Sequence, residues 1–296
     1  MKIYDCFMYF DEDLLLDIRL NILDRYVDYF VIVESRFNHN GQKRELNFKL
    51  SKFRKFRKKI IYVVQDQLPS KIEKININDE KNLKEKKYIL NAVKRENAQR
   101  NYIEKGIVNA DKNDLILVSD VDEIPNLENL NFAKINKRII IFKQIMSYYK
   151  MNLAMPNFHW YGTKGCLKKY LYNPQWLRNI KAKKYSKFRL DILFSKKRYN
   201  SIYIVEKGGW HFTNIKKPKE IEKKFKSYLH HREFELSGMD IKDIKNIVKN
   251  RIAIYDLKMD QRSNKIGKGS KLVKLNNKKL PKFIQKNKIK FINWFI

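Results

Sequence analysis

Asp114–Pro125 reads DLILVSDVDEIP: a run of large apolar residues, Leu115-Ile116-Leu117-Val118, opens directly into Ser119-Asp120-Val121-Asp122-Glu123-Ile124-Pro125. A short, continuous apolar run of this kind suits a strand buried on both faces. Pro125 lacks the amide proton that a central strand requires, so the acidic cluster falls at the strand's carboxyl end. On the amino-terminal side, residues 88–105 read as a helix, with Gly106 suited to the left-handed position that closes it. Tyr29-Phe30-Val31-Ile32-Val33 is a second buried strand, ending in Glu34-Ser35 and followed by the polar loop Asn38-His39-Asn40-Gly41. Residues 14–26, with Leu15, Ile18, Leu20, Ile22 and Leu23, form an amphipathic helix, and residues 60–64 a further strand. The lysine-rich stretch 71–87 reads as a solvated excursion. Strand alternating with helix predicts an α/β fold with a mixed, mostly parallel central sheet flanked by helices.

Downstream, residues 138–205 alternate apolar or aromatic runs with turns and read as added strands and loops. Pro218 suits the first position of a helix that carries Ile221, Phe225, Tyr228 and Leu229 on one face and closes at Gly238. Asp240 caps another, with Ile241, Ile244, Ile247 and Val248 on its apolar face. The expected organisation is one domain over residues 1–262 and a basic Lys/Asn-rich tail over 263–296.

The chain has 296 residues, 43% hydrophobic and 33% charged, which excludes general disorder and a multi-span membrane protein. Against 32 Asp and Glu stand 65 Lys and Arg, a net charge of +33. Such a field attracts polyanions, yet a general enrichment in Lys, Asn, Ile, Tyr and Phe accounts for it equally well. No helix-turn-helix, zinc-finger or RRM signature accompanies the charge, so no specific nucleic-acid partner is expected. Cys6 and Cys166 stand in no metal-ligand spacing and are too few for a disulfide framework. The amino terminus, broken by Asp5, lacks a signal-peptide core, and no stretch matches a spanning helix. The expected location is the cytoplasm or the periphery of a membrane. There the basic tail with Trp294 and Phe295 would rest on an anionic membrane or a lipid-linked acceptor, or would simply be solvated.

In an extended segment, residues i and i+2 project to one side, so Asp120 and Asp122 are expected to face one cleft. Their repulsion calls for a positive charge between them, and a hard divalent cation, Mg²⁺ or Mn²⁺, supplies it while keeping positions open for phosphate oxygens. The crevice beyond the carboxyl ends of parallel strands is where such folds bind ligands. The alternative is an acidic surface loop or helix cap.

DLILVSDVDEIP, together with YDCFMYFDEDLLLDIRLNIL (4–23), VDYFVIVESRFNHNGQKRELNF (27–48), KRENAQRNYI (94–103) and GGWHF (208–212), resembles glycosyltransferase family 17. This is the family of β-1,4-mannosyl-glycoprotein β-1,4-N-acetylglucosaminyltransferase. The resemblance implies a GT-A-like fold and an inverting transferase. Its donor would be UDP-N-acetylglucosamine, its acceptor a glycan hydroxyl joined in a β-1,4-type linkage, and its cofactor a divalent metal. The alternative is a GT-A transferase that uses another nucleotide sugar with the same metal and diphosphate chemistry. In such a transfer the acceptor oxygen attacks the anomeric carbon as the diphosphate leaves, through an oxocarbenium-like transition state. The implied metal set is Asp122, Asp120 and His211, with Asp120 and His211 also able to serve the nucleotide. For His211 the alternative is a core histidine beside Trp210. The resemblance also implies Glu233 as general base, with Asp191 and Glu123 as rivals, and Glu34 and Ser35 at the nucleoside, with His39 and Gly41 in the matched loop. Glu96, Gln99 and Arg100 share a helix face; Arg100 would contact the diphosphate or simply pair with Glu96. Trp160-Tyr161-Gly162-Thr163 would offer an aromatic platform to an acceptor sugar or belong to the core.

Overall fold

In this computed structural model, which describes residues 1–183, 195, 201–228, 231–255 and 269–296, the first half runs β1 (Ile3–Tyr9), α1 (Asp13–Leu23), β2 (Tyr29–Ser35), β3 (Ile60–Gln65), α2 (Lys81–Asn101), α3 (Ile103–Gly106), β4 (Leu115–Asp120) and β5 (Glu123–Pro125). It continues β6 (Ile139–Tyr148), β7 (Leu153–Leu167), α4 (Pro174–Asn179), β8 (Ile202–Val205), β9 (Gly209–Thr213), α5 (Pro218–Ser227), α6 (His231–Ser237), α7 (Ile241–Lys249), β10 (Val273–Lys274) and α8 (Lys282–Lys286). One sheet has the order β3-β2-β1-β4-β7-β6-β9-β5, with β8 on β6 and β10 on β7. β3, β2, β1 and β4 are parallel, as are β6 with β8 and with β9. β7 enters antiparallel between β4 and β6. The expected mixed α/β architecture is therefore observed.

The central strands are continuously apolar because each face has its own core. Phe7 and Tyr9 of β1, Phe30 and Ile32 of β2, and Leu115 and Leu117 of β4 pack with Leu16, Ile18, Leu20 and Leu23 of α1. The alternate residues Cys6, Val31, Val33, Ile116 and Val118 pack on the other side with Ile103 of α3 and Leu177 of α4. Strand alternation then decides where each polar residue at a strand tip points. Gly106, expected as a left-handed helix terminator, is not among the glycines with positive φ. Its reason is proximity: a Cβ there would lie 2.3 Å from Cγ1 of Val31.

Three further expectations change. α2 begins at Lys81 rather than at 88, and the lysine-rich excursion is tied to it by Lys87–Asp79 and Lys94–Glu73 ion pairs, both 2.8 Å. The helix expected from Pro218 to Gly238 is broken at Tyr228, whose extended backbone (φ −96°, ψ −175°) separates α5 from α6. The carboxyl-terminal segment is also no solvated tail. Leu280, Ile284 and Phe291 are buried in the same core as α1, and β10 pairs with β7. Lys290 reaches Asp17 at 2.8 Å, and the Met151 amide donates to the Trp294 carbonyl at 2.8 Å. An apolar stripe hidden in a lysine-rich composition accounts for that packing. The capping expected of Asp240 is present: its carboxylate accepts from the amides of Lys242 (2.7 Å) and Asp243 (3.0 Å). Among the described residues no helix is long and apolar enough to cross a membrane.

One buried ion pair fixes the sheet edge. Asp5 of β1 and Arg19 of α1 are both fully buried and joined at 2.6 and 2.8 Å. The same guanidinium donates to Ser119 Oγ (2.5 Å) and to the carbonyls of Asp120 (3.0 Å), Val121 (3.3 Å) and Glu123 (2.9 Å). Those carbonyls lie in the turn where β4 ends and need partners other than a ladder. Replacing Arg19 with Met would strand the Asp5 carboxylate in the core and unpin the turn. R19M should therefore lose about 3–5 kcal/mol in urea unfolding; a loss below about 1 kcal/mol would remove the pair from this role.

Candidate active site

β4 ends with Ser119 facing α1 and Asp120 facing the opposite layer, where α2 and α4 supply arginines. Asp120 accepts from Arg100 at 3.0 Å through Oδ1 and from Arg178 at 2.9 Å through Oδ2. Arg100 also makes the expected pair with Glu96, at 2.8 Å but buried rather than on the surface, and donates to Gln175 Oε1, so the pair is part of a larger network. Arg178 continues to Glu123 at 2.5 Å and to the Gly162 carbonyl. Pro174 opens α4, and Asn173 caps it by accepting from the Trp176 amide at 2.7 Å. At the other end Lys164 Nζ donates to the carbonyls of Arg178 and of Ile180 (2.6 Å), which fixes the helix that presents Arg178. Burial, reinforced by the Arg178 charge, pushes the Lys164 amine down to about 7.

Burial alone would raise the Asp120 carboxyl, but the Arg178 and Arg100 guanidiniums, aided by His211, outweigh it and hold that group well below the ordinary carboxylate range. Positive charge beside Asp120 is thus already present as protein, in the two arginines that it joins. Glu123 is fully buried and engaged by Arg178, by the Trp160 indole N–H (2.5 Å) and by the Asp120 amide (3.0 Å).

The chain turns after β4, so Asp120 and Asp122 do not share a side through strand periodicity. They nevertheless line one cavity of about 150 Å³, with Trp160, His211, Lys224, Tyr228 and Tyr255 on its walls. His211 sits opposite Glu123 in the β5–β9 pairing, and the Phe212 amide donates to the Asp122 carbonyl at 2.9 Å, which brings His211 Nε2 to 3.5 Å from Asp122 Oδ1. Gly209 makes that pairing possible: its φ is +120°, and a Cβ would meet the Ile124 carbonyl oxygen at 2.2 Å. Lys224 of α5 stands 3.9 Å from Asp122 Oδ2. Burial would raise the Asp122 carboxyl; His211, then Lys224, outweigh it and lower it, against the opposing charge of Asp120. His211 Nδ1 is buried without a hydrogen-bond partner, and the ring lies 5.2 Å from that of Trp160.

Asp122 and His211 fit as two donors to a hard cation whose remaining positions would come from phosphate oxygens and water, the usual arrangement for Mg²⁺. Among the described residues no group of three or more His, Cys, Asp or Glu forms a complete cage.

The residues expected at the nucleoside lie nearby, and Tyr228 lines both places. Ser35, His39 and Gln99 line a narrow cleft beside the first cavity. His39 Nε2 meets Gln99 Oε1 at 3.0 Å, while His39 Nδ1 and Asn38 Oδ1 are buried without partners. Burial lowers the His39 imidazole, keeping it neutral. Glu34 does not face this cleft: its carboxylate accepts from Arg44 (2.8 Å), from the amides of Asn47 (2.7 Å) and Phe48 (3.0 Å), and from Tyr62 (2.8 Å), and so anchors the loop that follows β2. Gly41, at φ +98°, lets that loop pass the Arg95 guanidinium. Glu233 is exposed on α6 outside the cavity lining; its charge bears on Tyr255, which is part of that lining. Asp191 lies outside the described residues.

Sequence reading missed Arg19, Arg178, Lys224 and Tyr228. A charged residue on the apolar face of α1 signalled Arg19; nothing local signals Arg178, Lys224 or the turning of Tyr228 into the cavity.

A cavity at the carboxyl edge of parallel strands, lined by paired acids and bases, lies where α/β folds bind ligands. The chain belongs to glycosyltransferase family 17, whose sequence model matches residues 1–293, and it is a glycosyltransferase. No curated protein matches it. Among solved structures it is similar to two crystal structures of HddC from Yersinia pseudotuberculosis, one complexed with GMP-PN. Each is 10% identical over 70% of this chain and 91% of that one, with TM-scores of 0.32 and 0.31. A likeness so slight carries no argument.

A carboxyl held low adds stability that is complete above its unfolded value, near 4, and lost as pH falls through its folded value. Native Asp120 should therefore stay ionised below pH 4. In Arg178→Met burial is offset by one guanidinium fewer, and the acid-side loss of stability should begin at higher pH than in the native protein. Urea midpoints taken between pH 3 and 7 read this directly; superimposable acid limbs would refute the network.

Proposed function

We propose that the protein transfers N-acetylglucosamine from UDP-N-acetylglucosamine to a glycan hydroxyl, with inversion, on a GT-A-like fold. The observation that carries the reading is the Asp122–His211 pair facing a cavity beside the parallel strand edge, with Lys224 behind it. Donor and acceptor classes follow from the family, and the two unpartnered atoms of Asn38 and His39 supply polar contacts suited to a nucleobase.

A divalent cation bound by Asp122 and His211 would act as a Lewis acid on the departing diphosphate. Lys224, within reach of the same carboxylate, adds a mobile positive charge on the cavity wall. Asp120 keeps Arg100 and Arg178 oriented, so their positive field is preorganised at the place where negative charge grows. Trp160, its N–H fixed by Glu123, offers a ring face to a sugar. The acceptor proton needs a base worth roughly 10²–10⁴ in rate. Glu123 is engaged by three donors; the family match gives Glu233 as the base, on α6 outside the cavity lining and in electrostatic contact with Tyr255 of that lining, with Asp191 its rival.

Calorimetric titration of UDP and a panel of UDP-sugars, with and without Mn²⁺, tests the donor and the cation together. Native protein should favour UDP-N-acetylglucosamine and bind UDP more tightly with Mn²⁺; Asp122→Asn and His211→Ala should lose that metal dependence. Equal, metal-independent binding by all three proteins would end the proposal. In turnover assays Glu233→Gln should lower kcat by about 10²-fold or more at unchanged donor KM, and native kcat in that variant would transfer the role to Asp191.

A further inference from the structure

β9 has two faces. His211 and Thr213 point into the cavity just described, whereas Trp210 points the other way, into a groove made of two adjoining cavities of about 540 and 250 Å³. Both are lined by Asn126, Glu128, Trp210 and Lys282. The larger falls within the roughly 300–1,000 Å³ of ligand pockets, and it exceeds the catalytic cavity. The folded-back carboxyl-terminal segment forms one wall. The Trp210 indole N–H donates to the Lys279 carbonyl at 2.7 Å, which locks the ring edge to that wall and sets the ring between the two cavities.

The charge of the groove is unbalanced. Lys143 is paired with Glu206 at 2.7 Å and Lys282 with Glu128. Lys207, Lys278 and Lys279 also line it, exposed, and no carboxylate partner for them occurs among the described residues. His159 completes the lining, its imidazole lowered by burial and by the charge of Lys143. A neutral imidazole there both donates and accepts, which suits a hydroxyl.

We propose that this groove is a second carbohydrate site, which holds an acidic oligosaccharide segment by stacking one ring on Trp210 and pairing its anionic groups with Lys207, Lys278 and Lys279. An aromatic ring between two connected hollows suits a chain of sugar rings, and a concave floor suits neither a bilayer plane nor a duplex. That the ligand is a glycan rests on family membership; the site does not depend on the donor or the metal of the catalytic cavity.

The test uses the whole chain without donor or metal, at about 150 mM salt so that diffuse attraction is screened. Tetragalacturonate is the probe and chitotetraose its neutral counterpart, both followed by calorimetry. The native protein should bind the uronate and prefer it to the neutral tetramer. The triple variant K207Q/K278Q/K279Q removes three charge-assisted contacts and should weaken uronate binding by at least about tenfold. K242Q/K245Q/K249Q, an equal charge change on α7, should leave it within about twofold. UDP titrations should be the same in both triple variants and the native protein, so a failed donor assignment would show separately. Absent uronate binding, equal loss in the two triple variants, or no preference over chitotetraose would overturn the proposal. So would binding of phosphatidylglycerol vesicles that depends on the same three lysines while tetragalacturonate does not compete.

Discussion

The Asp5–Arg19 pair is the constraint on which the site depends. A guanidinium taken wholly out of water is tolerable only where nearly every N–H finds an acceptor, and Arg19 finds them in one carboxylate, one hydroxyl and the carbonyls of a single turn. The desolvation of two ions is thereby converted into a fixed backbone path from Ser119 to Glu123. Because Arg19 comes from α1 and Asp5 from β1, the path is set by the first layer of the fold, before any catalytic group is considered.

Alternation along β4 then separates two tasks. Ser119 turns toward α1 and joins the pinning network, while Asp120 turns toward α2 and α4 and meets two arginines. Paired acids at a sheet edge invite the thought that a cation must bridge them, but here much of the compensation is built into the protein. Asp120 answers to Arg100 and Arg178; Asp122 answers to His211 and Lys224. Both aspartates line the cavity, but of the four partners only His211 and Lys224 line it with them. The two aspartates of one short motif therefore have different partners: the first is held between two arginines, the second by a histidine and a lysine.

The same strand logic recurs at β9, where neighbouring residues serve opposite faces. His211 belongs to the cavity beside Asp122 and Trp210 to a basic groove whose far wall is the carboxyl-terminal segment. A lysine-rich stretch that composition alone would leave in solvent becomes a wall because Leu280, Ile284 and Phe291 bury one side of it.

Composition, periodicity and breakers in the sequence determined the alternation of helices and strands, the buried character of β2 and β4, the acidic turn at the end of β4, and the family. These are local properties: apolar runs, a proline that stops a strand and motif spacing are all written within a few residues of one another. Tertiary structure alone decided what those acids would be used for. Arg19, Arg100 and Arg178 come from three different helices, Lys224 and Tyr228 from a fourth and its broken end, and Glu34 is claimed by a loop that only folding brings back to it. Electrostatic partners are chosen by distance in space, and a charge carries no mark in sequence of which opposite charge it will face once water is excluded.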